Sequence, residues 1–179
     1  MKILLPLLLI TLPLLVSAKE VTLEAPANNG SQLKIKETYS AAEFSGNLVI
    51  KSHESKATYP TRVVIGLFEG TPKSHSFQIL LERIGNTEEY WLAYLYLYNS
   101  KPQIRIDIQS GIKLNQKIPF NLFWHPGGRL QVSIFETTHF PYTKLKAKTP
   151  FIRIDSGSVL VNYEYKEIYW KESAPSVSQ

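Results

Sequence analysis

Residues 89–109 alternate hydrophobic and polar side chains more clearly than any other part of the chain. Two arms, residues 89–98 and 103–109, each repeat with a period of two, which is typical of β-strands that bury one face. The segment between them, Asn99-Ser100-Lys101-Pro102, is rich in turn-forming residues. The pattern therefore predicts a β-hairpin.

The simplest register of this hairpin also predicts which side chains share a face. It places three aliphatic pairs opposite each other: Leu97 and Ile104, Leu95 and Ile106, Ala93 and Ile108. We expect these pairs to point into the core, because burial of one face fixes the register of a strand. The other face would carry Tyr94, Tyr96 and Tyr98 beside Gln103, Arg105 and Asp107.

The rest of the chain continues as short strand-like runs. Strands are predicted at residues 21–23, 33–39, 47–52, 61–69, 75–84, 118–125, 129–136, 151–155 and 159–170. A helical turn is predicted at residues 40–44, and residues 137–150 are expected to be irregular. About ten short strands separated by turn signals favour an antiparallel sandwich or barrel.

Residues 118–136 predict a second hairpin, in which Phe120, Leu122 and Trp124 face Leu130, Val132 and Ile134. Its segments Phe123-Trp124, Pro126-Gly127-Gly128 and Leu130-Gln131-Val132-Ser133-Ile134 resemble a recurring hairpin of the concanavalin A-like lectin/glucanase family. The run Gly157-Ser158-Val159-Leu160-Val161-Asn162-Tyr163 is similar to that family's last strand, which returns beside the first. The resemblance covers residues 44–168.

This resemblance implies an all-β, antiparallel two-sheet β-sandwich of jelly-roll type, with carbohydrate binding or glycan processing as its commonest activities. It transfers no functional residue, because the sequence lacks the Glu-x-Asp-x-Glu motif of the family's glucanases and the Asp and Asn cluster of its metal-dependent lectins. We therefore assign no catalytic residue, no metal ligand and no cofactor.

The first residues have the composition of an export signal. Lys2 is followed by an apolar run at residues 3–16 and by Val16-Ser17-Ala18, which suits cleavage after Ala18. A retained anchor is the alternative, but the run is shorter than the roughly 20 residues that a bilayer requires. We expect a signal peptide at residues 1–18, one β-sandwich domain at 19–170 and a disordered polar tail at 171–179.

The absence of cysteine excludes disulfides and, in an exported protein, favours a bacterial periplasmic or extracellular setting. After cleavage of the signal peptide we expect no membrane span. The mature chain would carry a charge of +4, the formal +5 less Lys2, with its basic residues scattered. A nucleic-acid partner is not expected, because such proteins cluster their basic residues.

The strongest candidate ligand site is the predicted face with Tyr94, Tyr96, Tyr98, Arg105 and Asp107. Tyrosine rings offer apolar stacking area and a hydroxyl, while arginine and aspartate offer paired donors and acceptors. Sugars require both kinds of contact. The alternative is that a loop or the other sheet covers this face, where cross-strand pairs of these residues would only stabilise the sheet.

Other candidate chemistry is less specific. The histidines His53, His75, His125 and His139 lie on separate connections without zinc-like spacing. Residues 138–148 could cover an anionic ligand or form a solvated edge. A glycosidase would need two carboxylates facing each other across its substrate. The carboxylates that lie on or beside predicted strands are Glu82, Asp107, Glu136, Asp155 and Glu164.

Three functions remain open from the sequence. The leading hypothesis is an exported, noncatalytic, lectin-like protein that binds a glycan or polysaccharide. The second is a protein-interaction or assembly module that uses the tyrosine-rich face. The third is a jelly-roll glycan hydrolase or lyase.

Overall fold

The computed structural model describes residues 18–27, 29–53, 60–126 and 128–168. Residues 1–17 of the proposed signal peptide (1–18) and the proposed tail at 171–179 lie outside these residues. Within the described ranges the chain forms twelve strands: β1 (Lys19–Ala25), β2 (Ser31–Lys34), β3 (Ala41–Ser52), β4 (Arg62–Glu69), β5 (His75–Arg83), β6 (Glu89–Tyr98), β7 (Lys101–Lys113), β8 (Lys117–Trp124), β9 (Leu130–Ile134), β10 (Thr137–His139), β11 (Thr149–Ile154) and β12 (Gly157–Ile168).

The strands form two antiparallel sheets of six. The first sheet has the order β1-β12-β3-β8-β9-β10, and the second sheet has the order β2-β11-β4-β5-β6-β7. This is the jelly-roll β-sandwich that the sequence predicts. As the family resemblance implied, the last strand returns beside the first, with Val161 paired to Val21 and Val159 to Leu23.

The core lies between the sheets and consists of alternate side chains from both. The second predicted hairpin is confirmed pair by pair: Phe120 lies opposite Ile134, Leu122 opposite Val132 and Trp124 opposite Leu130. Trp124 is fully buried there. Alternation with a period of two is sufficient to predict the register of this hairpin, because one face meets the core and the other meets solvent.

Two local predictions are wrong. Residues 40–44 do not form a helical turn, because Ala41 already begins β3, where Ala42 pairs with Trp124 and Phe44 with Leu122. Residues 137–150 are not wholly irregular, because they include β10 and the start of β11. Tertiary pairing prevailed over weak local preference in both segments.

The register of the first predicted hairpin is wrong by one residue. Asn99 and Ser100 both have positive φ, 51° and 60°, so the turn has two residues and Lys101 already pairs with Tyr98. Left-handed φ at both turn residues is the requirement of a tight type I′ hairpin. An irregularity between Tyr96 and Leu97 then shifts the pairing.

This shift changes the face of several side chains. Ile104 lies opposite Tyr96 and Ile106 opposite Tyr94, while Arg105 lies opposite Leu95. A shift of one residue exchanges the faces of a strand, because its side chains alternate. Leu95 and Leu97, which pair with Gln78 and Ser76 of β5, lie on the outer face of the second sheet, the face turned away from the first sheet. The expectation that they enter the core is therefore wrong.

Candidate functional site

The structure divides the five predicted site residues between the two faces of the second sheet. Tyr94, Tyr96 and Tyr98 lie on the face turned toward the first sheet, whereas Arg105 and Asp107 lie on the outer face. The expectation that they form one surface is therefore wrong. Whether any of them binds a ligand stays a prediction.

Tyr94 is a core residue. It is 4% exposed, and its ring packs against Phe77 and His139, with centroids 5.7 and 4.8 Å away. Its hydroxyl is buried and has no hydrogen-bond partner among the residues that the structure describes, and the same holds for the Tyr90 hydroxyl. Burial raises the pKa of each phenol to about 12, because the ionised form loses its hydration.

Tyr96 and Tyr98 are half-buried and support the segment that follows β10. The Tyr96 hydroxyl accepts a hydrogen bond from the Lys144 backbone N–H at 3.2 Å. The Lys144 ammonium lies 5.2 Å from the centre of the Tyr98 ring, close enough for a cation–π contact. These tyrosines thus contact residues 138–148, the stretch for which the sequence left a covering loop open.

A depression with charged walls and an apolar floor lies on the outer face of the second sheet. We call it the outer groove; it has a volume of about 420 Å³. It is lined by Arg62, Val64, Pro72, Lys73, Gln78, Leu80, Glu82, Leu95, Leu97, Arg105, Phe151, Arg153 and Asp155. Its residues come from β4, β5, β6, β7, β11, the β4–β5 turn and, for Asp155, the turn that follows β11.

The floor of the outer groove is apolar. Val64, Phe68, Leu80 and Phe151 form a buried cluster separate from the core between the sheets. Phe151 is fully buried because β4 has Gly66 beneath it: a Cβ at position 66 would lie 3.0 Å from the Phe151 ring. β4 is therefore apolar on both faces, which explains the unbroken hydrophobic run in its sequence.

Charged side chains from three strands form one network along the groove. The Nε and Nη2 atoms of Arg62 donate to Glu82 Oε1 at 3.2 and 2.8 Å. Arg105 Nη1 lies 3.8 Å from Glu82 Oε2, and Arg105 Nε donates to Asp107 Oδ1 at 3.1 Å. Glu82 therefore joins arginines from β4 and β7.

A separate ion pair lies at the end of β11, where Arg153 Nε donates to Oδ1 of Asp155, the residue that follows the strand. This pair also lines an adjoining pocket of about 270 Å³ together with Arg62, Asn29, Gly30, Pro60 and Ser156. The two depressions share Arg62, Arg153 and Asp155. The charged surface thus extends from β7 to β11, about 19 Å across five neighbouring strands.

The turn between β4 and β5 forms one wall of the outer groove. The Pro72 carbonyl oxygen accepts hydrogen bonds from Ser76 Oγ at 2.7 Å and Gln78 Nε2 at 3.0 Å. These bonds anchor the turn to β5 on the outer face. Lys73, the next residue, is exposed and lines the groove.

A second depression lies at the open edge between the sheets, and we call it the edge cleft. It has a volume of about 290 Å³ and is lined by Phe77, Tyr94, Tyr96, Ile104, Ile106, His139, Phe140, Pro141 and Tyr142. Ile104 and Ile106 are 53% and 48% exposed, and Phe140 and Tyr142 are 75% and 69% exposed. This is an apolar surface with little hydrogen-bonding capacity.

The structure offers no metal centre among the residues it describes: no three histidine or acidic side chains cluster there. Nor does this described part contain a helix with the length and hydropathy to cross a membrane.

The lysine-rich stretch before β11 contains one buried member, Lys148, whose ammonium donates to the Lys146 carbonyl oxygen at 3.3 Å. Burial lowers the pKa of Lys148, and Glu69 opposes this.

Sequence reasoning missed most of the outer groove. The sequence pattern singles out Glu82 and Asp155 only as two of five carboxylates near strands. It does not indicate Arg62, Arg153 or Lys73 as ligand-binding residues. The unbroken apolar run of β4 was an available signal, because a strand buried on both faces indicates a second apolar surface.

No protein-family model and no curated protein matches the sequence. Solved structures do match. A carbohydrate-binding module, CBM66, from Bacillus subtilis has a TM-score of 0.55 at 9% identity, covering 79% of this chain and 84% of that one. Congerin II bound to lactose has a TM-score of 0.55 at 11% identity, covering 77% of this chain and all of the other.

The alginate lyase PA1167 from Pseudomonas aeruginosa also has a TM-score of 0.55, at 12% identity, covering 73% of this chain and 66% of that one. The chain shares their jelly-roll fold. At these identities the likeness concerns the fold, and function must be argued from the site.

The buried Tyr94 hydroxyl predicts a specific alkaline instability. An unfolded tyrosine ionises near pH 10, whereas folded Tyr94 keeps its proton to about pH 12. The unfolded state therefore gains stability as pH rises above 10. We expect Tyr94→Phe to remove roughly 2–3 kcal/mol of the stability loss between pH 10 and 12, measured by urea unfolding across that range.

At neutral pH, Tyr94→Phe should leave stability unchanged or raise it, because it removes an unpaired buried hydroxyl. Adding Tyr90→Phe should suppress a further part of the alkaline loss. The same alkaline loss in Tyr94→Phe and the parent would show that this hydroxyl is not buried.

Proposed function

We propose that this is an exported, noncatalytic protein that binds carbohydrate in the outer groove. The observation that carries the proposal is the combination of an apolar floor with converging donors and acceptors at one open surface. A sugar presents apolar C–H faces and hydroxyls, so it requires both kinds of contact. The carbohydrate-binding structural neighbours support the same ligand class.

The polar groups of the groove suit hydroxyl recognition. Each guanidinium has five N–H donors in a fixed plane, and Arg62 directs only two of its own at Glu82. The amide of Gln78 and the carboxylates of Glu82 and Asp155 add acceptors. A glycan lying across the strands would meet these groups one after another.

We infer binding without cleavage from the environment of the carboxylates. Glu82 and Asp155 are the two acidic residues that line the groove, and each forms an ion pair with an arginine. A glycoside hydrolase needs two carboxyl groups directed at the bond to be cleaved. Here the carboxylates are directed at guanidinium groups, which favours a role in holding those groups in position.

The groove floor provides the test. Leu97→Gln places an amide on the apolar floor, and we expect it to weaken binding to any captured polysaccharide by roughly tenfold. The control is Leu160→Gln, a half-buried leucine of β12 in the first sheet, outside the outer groove. Affinity electrophoresis against a panel of neutral and acidic polysaccharides, followed by calorimetry, would measure both variants.

Leu160→Gln should bind as the parent does. Equal binding by Leu97→Gln and the parent would place the ligand elsewhere. Failure of the parent to bind any polysaccharide of the panel would contradict the proposed function.

A second function is favoured by the edge cleft: self-association through the tyrosine and isoleucine side chains that line it. β7 is the edge strand of the second sheet, and two of its isoleucines are about half exposed. An edge strand has unpaired backbone groups that can pair with another chain. A second copy of this chain offers the same strand and the same apolar side chains, so the two surfaces would match.

This function predicts a dimer that depends on Ile104 and Ile106. Light scattering during gel filtration should show the parent shifting toward dimer as its concentration rises. The double variant Ile104→Lys, Ile106→Lys should remain monomeric, because lysine is poorly accommodated in an apolar interface. Gln103→Lys, on the same strand, is the control and should dimerise. A parent that is monomeric at every concentration would contradict the idea.

A further inference from the structure

The charged groups of the outer groove are arranged with their cations outward. The Arg62 side chain is 42% exposed against 19% for its partner Glu82, and Arg105 is 49% exposed beside the same carboxylate. Arg153 is also more exposed than Asp155. Asp107, which lies beside the groove, is the exception at 55% exposed. A molecule that enters the groove itself meets guanidinium groups that are more exposed than the carboxylates of Glu82 and Asp155.

The groove also contains more cations than anions. Arg62, Arg105, Arg153 and Lys73 line it, against Glu82 and Asp155. Asp107 contacts Arg105 from beside the groove, which still leaves one cation in excess. A network that served only to stabilise the sheet would not require an exposed lysine on the neighbouring turn.

The guanidinium groups retain donors for a ligand. Arg153 directs one N–H, from Nε, at Asp155, and Arg105 directs one at Asp107. Each of these groups has five N–H donors, and an ionised acceptor roughly doubles the strength of a hydrogen bond. The planar fork of arginine suits the two oxygens of a carboxylate or two oxygens of a sulfate.

The positions of the arginines suit a repeating ligand. The guanidinium groups of Arg62 and Arg105 meet at the Glu82 carboxylate, although their strands, β4 and β7, lie about 14 Å apart. Arg153 provides a further cationic position on β11, one strand beyond β4. Cations spaced along one direction match a chain that bears an anion on successive sugars. They would be less useful to a ligand with a single charge.

From these observations we infer that the outer groove selects anionic glycans, chains of sugars bearing carboxylate or sulfate groups. The inference rests on the proposed function and adds the ligand's charge to it. The arginines would bind the anionic groups, and the leucine and phenylalanine floor would contact the sugar rings.

The experiment compares polymers that differ mainly in charge. Polygalacturonate is paired with methyl-esterified pectin, and dextran sulfate with dextran, so that the two arms separate carboxylate from sulfate recognition. We expect at least one anionic polymer to bind about tenfold more tightly than its neutral counterpart. We also expect its affinity to fall as salt is raised, because screening weakens exposed charge pairs.

Two double variants distinguish recognition in the groove from general attraction to a basic protein. Arg105→Gln with Lys73→Gln removes two groove cations, and neither change deprives Glu82 of its Arg62 partner. Arg129→Gln with Lys117→Gln removes the same charge from exposed positions that do not line the groove. The first variant should lose about tenfold in affinity for the preferred anionic polymer, and the second should lose far less.

Arg105→Lys adds a geometric readout. It keeps the charge but loses the fork, so a carboxylate ligand held by two parallel bonds should bind more weakly than to the parent. Equal losses in the two double variants would overturn the inference, as would equal affinity for charged and neutral polymers. If the parent binds neutral polymers and Leu97→Gln abolishes that binding, the anionic preference alone is overturned. If the parent binds no polymer at all, the proposed function is overturned as well.

Discussion

The pairing of β6 with β7 determines what the second sheet presents on each face. The two-residue turn at Asn99 and Ser100, followed by the irregularity beside Tyr96, places Tyr94 opposite Ile106 and Leu95 opposite Arg105. Had β7 paired with β6 one residue further on, Ile104 and Ile106 would join Leu95 and Leu97 on the outer face. Arg105 and Asp107 would then join the tyrosines on the inner face, because β6 keeps its faces through its pairing with β5. The same sequence would then have a different functional face, because alternation makes the two outcomes mutually exclusive.

The outer groove depends on a second constraint, the burial of aromatic side chains on both faces of the same sheet. Phe151 is fully buried on the outer face because Gly66 leaves space beneath it. The apolar floor brings strands β4, β5 and β11 together under the arginines, and Glu82 links the arginines of β4 and β7. Floor and charged walls are therefore parts of one arrangement: the sheet supplies the spacing, and the acidic residues hold the cations in place.

Much of the fold could be predicted from the sequence, whereas the site could not. The β8–β9 hairpin follows from alternation alone, since its turn leaves no ambiguity about register. The β6–β7 hairpin was misregistered because a four-residue turn and a two-residue turn with a bulge are both compatible with Asn99-Ser100-Lys101-Pro102. Pro102 suggested that the strand begins after it, yet β7 is an edge strand, where proline is tolerated.

The groove could not be assembled from sequence because its residues meet only through the strand order. Arg153 lies beside Val64 because β11 inserts between β2 and β4, a connection that no local pattern specifies. Cross-strand backbone NOEs in isotopically labelled protein test the β6–β7 pairing most directly. We expect contacts between Tyr96 and Ile104 and between Leu95 and Arg105; contacts joining Leu97 to Ile104 and Leu95 to Ile106 would contradict this pairing.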